Sequence, residues 1–72
     1  MSEYLVIYER GPAGWGAYCP DLPGLGAASS TRKEVERLIQ EAIELHIESL
    51  REHGEPVPPP TSAASTIAVS AA

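Results

Sequence analysis

The side chains that could do chemistry in this 72-residue chain are few. Cys19 is the only thiol, so neither an intrachain disulfide nor a paired-thiol metal site can form. A lone Cys becomes a nucleophile only beside a base. Cys19 instead follows Tyr18 at a strand end, on the face shared with Trp15 and Ala17, and reads as a buried, inert thiol. His46 and His53 are seven apart with no cysteine near them, which fits no zinc spacing. Metal-dependent hydrolysis needs converging carboxylates. Glu3 and Glu9 stand only at the ends of the first apolar run, and the glutamates of the helix fall on its polar side. Gly14, Gly16, Gly24 and Gly26 are followed by no lysine and open no helix, so they do not make a phosphate loop. No catalytic residue, metal ligand or cofactor-binding residue is assigned. What stands out is Trp15 together with Asp21 and Leu22 of Asp21-Leu-Pro-Gly24: an aromatic, an acid and an exposed leucine beside a rigid turn. These three are the candidate partner contacts.

Those residues must be positioned by a small set of elements. Glu3-Tyr-Leu-Val-Ile-Tyr-Glu9 is β-branched and aromatic, ends at the turn signal Arg10-Gly-Pro-Ala-Gly14, and is apolar on both alternating sets. It predicts a strand covered on both sides. Trp15 to Cys19 predicts its hairpin partner, ended by Pro20-Asp-Leu-Pro-Gly24, and Leu25 to Ser29 a third, edge strand. Thr31 and Glu34 have the spacing of a reciprocal capping box. Val35, Leu38, Ile39, Ala42, Ile43, Ile47 and Leu50 then recur as one helical stripe, with Gly54 as the stop. His46 falls within that stripe and is expected to be a core histidine tied to a strand carbonyl or to Tyr4, Tyr8 or Tyr18. Thr31, Glu34, His46 and Gly54 are thus assigned structural roles.

Residues 55–62 are Pro-rich and must be extended, and Thr66-Ile-Ala-Val69 alternates as a short last strand before a fraying tail at the end of 63–72. The predicted fold is a single α+β domain over 1–72: β-β-β-α-β, one mainly antiparallel sheet with a single helix on one face. Residues 3–54 hold strands one to three and the helix.

Composition narrows the function further. Five Lys+Arg against ten Asp+Glu, a net charge of −5, argue against direct nucleic-acid binding and favour a basic protein partner. No apolar run approaches a membrane span and the N-terminus is not signal-like, so a cytoplasmic protein is expected. A domain this short buries little of its surface. With no disulfide or metal to compensate, a homo-oligomer (dimer or tetramer) is expected, formed through the sheet face the helix leaves bare.

Tyr4-Leu-Val-Ile-Tyr-Glu9, the step Gly14 to Ala17, Cys19-Pro-Asp-Leu-Pro-Gly24, Thr31-x-x-Glu34, Glu41-Ala-Ile-Glu-Leu-His46 and Gly54-x-x-Val-Pro58 together resemble the N-terminal domain of HicB-type antitoxins over about residues 3 to 69. The resemblance implies a partial ribonuclease-H-like fold without catalytic carboxylates. It also implies a non-catalytic protein that binds and masks HicA, a small basic RNA-cleaving toxin. Ser29-Ser30 stands where relatives often have Gly-Asp, so the helix entry is expected to differ. Many relatives also carry a C-terminal DNA-binding domain, for which these 72 residues have no segment, so direct operator contact is not expected. The alternative is an orphan oligomeric module of this fold without a toxin partner, for which ligand binding is an open option. An adjacent short basic reading frame would separate the two.

Overall fold

The computed structural model describes residues 2–70. Its order is β1 (Ile7–Gly11), β2 (Gly14–Tyr18), β3 (Gly26–Ser29) and α1 (Arg32–Glu52). The strands form one antiparallel sheet in the order β1-β2-β3, so the fold is α+β with a single sheet followed by a single helix, as expected.

The β1–β2 hairpin turns through Pro12 and Ala13, with Gly11 opposite Gly14. Gly14 sits at φ 151°, and a Cβ there would collide with the Ser29 carbonyl and lie 2.9 Å from the Ser30 Cα. Only glycine lets β2 begin this close to the end of β3. Register then puts Tyr8, Ala17 and Ala27 in one cross-strand row, and Arg10, Trp15 and Ser29 in the next. The first row lies against α1, where Ala17, Val35 and Ile39 form the buried centre with Val6, Tyr8, Trp15, Ala27 and Ile43 packed around it.

α1 starts as its sequence requires. Thr31 is extended, and its Oγ1 accepts from the Glu34 amide at 3.2 Å. The reciprocal half of the box does not form, because the Glu34 carboxylate accepts instead from Arg37 at 2.6 and 3.3 Å. A bidentate guanidinium contact outcompetes one neutral amide. At the other end Gly54 has φ 67°, its amide bonds the Arg51 carbonyl and that of Glu55 the Leu50 carbonyl. This pair of bonds is a Schellman cap, the role assigned to Gly54.

Besides the unformed half of the capping box, four expectations are corrected. β1 begins at Ile7 rather than Glu3, because β2 ends at Tyr18, Ile7's partner, leaving residues 3–6 without a ladder. β3 begins at Gly26 rather than Leu25. Residues 66–69 make no strand within the chain, and Ile67 and Val69 are 81% and 76% exposed. His46 is half-buried and its ring makes no hydrogen bond among the described residues. The reason is geometric: at about 1.5 Å per residue the 21-residue helix outruns a sheet whose strands have four or five residues, so its buried contacts end near Ile43.

Candidate protein-binding face

The turn after β2 is built around a buried leucine. The Leu22 amide donates to the Cys19 carbonyl at 3.1 Å and the Leu25 amide to the Leu22 carbonyl at 3.3 Å, giving two successive turns that share Leu22. Each has proline at its second position, and Gly24 at φ 82° supplies the left-handed residue that a type II turn needs. Turning twice drives the Leu22 side chain inward to complete burial, beside the buried Cys19. Leu22 was expected to be exposed; instead it is an anchor, and an apolar side chain gains more from this burial than from display.

Asp21 points the other way and grips the chain that returns from α1. Its carboxylate accepts from the Thr61 amide (3.2 Å) and hydroxyl (3.0 Å), and from the Ser62 amide (3.1 Å) and hydroxyl (2.9 Å). The Ser62 backbone bond, with the hydroxyl and Thr61 bonds beside it, holds the Asp21 carboxyl below its ordinary value. A second tie lies close by, where the Tyr4 hydroxyl donates to the Pro58 carbonyl at 2.5 Å. The return of 55–62 is therefore pinned to the open end of the sheet. Thr61 and Ser62 as partners of Asp21 were missed, since nothing local relates residues forty apart.

Trp15 is half-buried on the helix side of the sheet under two cations. The Arg32 guanidinium lies 5.4 Å from the Trp15 ring centre and 4.1 Å from that of Tyr8, while bonding Glu36 at 2.9 Å. Arg10, paired with Trp15 across the hairpin, lies 5.9 Å from the same ring. Such cation–π contacts contribute about 0.5–1 kcal/mol each at exposed sites. The Arg10 contact follows from hairpin register once the turn is placed; the Arg32 contact needs the helix in position. The three candidate contacts are thus not one patch: Leu22 is interior, Asp21 is engaged with Thr61 and Ser62, and Trp15 keeps part of its ring accessible between arginines.

Charge is uneven along α1. In its first half Arg32 pairs with Glu36, and Arg37 with Glu34 and Glu41. In its second half the exposed Glu44, Glu48 and Glu52 recur every four residues with no ion pair among the described residues, and Leu45 beside them is 67% exposed. Among the described residues no cluster of three or more His, Cys, Asp or Glu side chains could hold a metal ion, and no helix is long and apolar enough to cross a membrane.

A meander with one helix, a double turn locked onto the returning chain, and an acidic helix end define a small α+β domain suited to contacts with another macromolecule. The chain belongs to the HicB-like antitoxin family of bacterial toxin-antitoxin systems, whose family model matches residues 4–71. It is 43% identical over 59 residues to the UPF0150 protein ssr1765 of Synechocystis sp., covering 81% of this chain and 75% of that protein. It is 39% identical over 57 residues to the UPF0150 protein Ta0767 of Thermoplasma acidophilum, covering 78% of this chain and 83% of that one. No solved structure matches it.

Proposed function

We propose that this domain is a non-catalytic, cytoplasmic antitoxin that binds a small basic RNA-cleaving toxin of the HicA type and masks its active site, without contacting nucleic acid itself. Membership of the antitoxin family supports a toxin partner in general. The observation that carries the finer reading is the Glu44, Glu48 and Glu52 stripe, in which the acids form no ion pair among the described residues and outnumber the one cation alongside, Arg51, with exposed Leu45 next to it. Three acids at helical spacing present a negative strip, and a cationic RNA-binding surface is its electrostatic complement. Leu45 adds the apolar contact that a purely charged strip lacks. Trp15, partly accessible between Arg10 and Arg32 on the helix-covered face of the sheet, is a second contact, while Asp21 and Leu22 act by holding the turn and the returning chain in place. The domain works as a homo-oligomer, since among the described residues only Ala17, Cys19, Leu22, Val35 and Ile39 are buried hydrophobics in one copy.

The test is to look for a short basic reading frame beside this chain's gene, purify its product and follow its cleavage of RNA; absence of such a frame counts against the reading. Equimolar antitoxin should abolish cleavage. The Glu44→Lys/Glu48→Lys/Glu52→Lys variant should weaken binding by roughly tenfold or more, with a loss of salt dependence. Undiminished RNA cleavage in the presence of excess wild-type domain would refute the reading.

A further inference from the structure

Beyond the Asp21 clamp the chain continues for eight described residues, 63–70, all exposed and in no regular structure. Within them Ile67 and Val69 sit two apart, 81% and 76% exposed, separated and flanked by small or hydroxyl residues. That is the side-chain period of a strand, with its apolar set facing water. There is no charged residue after Glu55. Exposed strands are normally protected from pairing by charge, proline or a covering element, and 63–70 has none of these.

The rest of the molecule offers a matching edge. β1 and β3 are the outer strands of the sheet, so each carries a row of backbone groups with no partner strand. β3 is Gly26-Ala-Ala-Ser29, with little side chain for Ile67 and Val69 to pack against. β1 brings Ile7 and Tyr8, preceded by Leu5 and Val6, all half-buried. The size of the molecule agrees. One chain of 7.6 kDa exposes 5566 Å², whereas a compact monomer of that mass exposes about 4,300 Å². Its radius of gyration is 14.3 Å against about 11 Å expected for its length. The difference, about 1,300 Å² per chain and so about 2,600 Å² per pair, falls in the range that obligate homodimers bury.

We propose that residues 63–70 are an exchange arm, in which 66–69 adds as a fourth strand to the outer edge of β1 in a second copy, while that copy's arm returns the favour. This rests on the self-association reading above and names how it is achieved. Eight residues at about 3.3 Å each reach roughly 26 Å, enough to leave the clamp and run along a five-residue strand. The exchange is reciprocal, so it closes as a two-fold dimer rather than a filament. Backbone hydrogen bonds supply the affinity, and Ile67 and Val69 against the apolar side chains of β1 set the register. Asp21 has a part in this: by holding Thr61 and Ser62 it fixes the point from which the arm starts.

The chain alone, without any toxin, is the material for the test. Sedimentation equilibrium of the wild type should give at least twice the chain mass of 7.6 kDa, and Ile67→Asp/Val69→Asp should halve it while leaving the helical circular dichroism unchanged. Hydrogen exchange read in parallel should show the outward amides of β1 protected in the wild type and unprotected in the variant, with β3 unaffected. A wild type that stays monomeric at high micromolar concentration overturns both the arm and self-association. A variant that keeps the wild-type mass, or a wild type whose protection lies on β3, overturns the arm and leaves self-association standing.

Discussion

Leu22→Ala separates an anchoring role from a partner-contact role for the turn after β2. The side chain is fully buried at the shared corner of two turns. Truncation removes three carbons, about 2.4 kcal/mol at ~0.8 kcal/mol per buried methylene, and the cavity left behind raises the cost to about 3–5 kcal/mol. At ~0.05–0.15 kcal/mol per residue a domain of 72 residues has roughly 4–11 kcal/mol in all. The substitution therefore takes between about a quarter of the stability and all of it. Urea unfolding followed by the fluorescence of Trp15, the single tryptophan, reads this directly. With a slope near 1 kcal/mol per molar, the midpoint should fall by about 3 M or more, or the variant should be unfolded in buffer. Protomer concentration must be held constant, because association adds to apparent stability. At low temperature, where folded variant persists, its affinity for the toxin should match the wild type. A loss under 1 kcal/mol would refute the anchoring argument, and a normal midpoint with lost toxin binding would make Leu22 a contact after all.

Two further outcomes follow from local geometry. Gly14→Ala should cost about 1–3 kcal/mol from backbone strain alone, with the collision against Ser29 and Ser30 adding to it; a melting temperature within a degree of wild type would contradict that. Asp21 is held below its ordinary value in the folded chain, so its contribution is complete above about pH 3.8 and is lost as pH falls through the lower folded value. The Thr61 and Ser62 amide resonances should therefore shift together only in that acid window, and Asp21→Asn should remove the dependence; resonances that move between pH 5 and 7 instead would count against the clamp.

Local patterns carried most of the architecture into the sequence. The hairpin was readable because Gly11-Pro-Ala-Gly14 leaves little choice of turn, and the helix because its apolar stripe is bracketed by Thr31 and Gly54. The fourth strand was readable as a propensity and does not form within the chain, since a strand needs an edge and none is brought to 66–69. The candidate contacts fared unevenly for the same reason. Asp21 and Leu22 are adjacent in sequence, yet one is clasped by Thr61 and Ser62 and the other is interior. Composition could mark Asp21-Leu-Pro-Gly24 as special, but not say which side chain faces in. His46 illustrates the limit of periodicity: the helical stripe includes it, while the length of the sheet decides where burial stops.

By itself the sequence determined the three strands and the helix, their order, the Thr31 and Gly54 caps, the absence of an intrachain disulfide and the acidic balance, all of which depend on neighbours within about four residues or on simple counts. Tertiary structure alone decided that Leu22 is core, that Asp21 ties down the returning chain, that Arg32 covers Trp15 and Tyr8, and that the end of α1 and the arm at 66–69 lie outside the core. The division is physical. Hydrogen-bonded turns and helices are closed by near neighbours, whereas burial depends on which distant surface arrives, and a three-stranded sheet ends before the helix does.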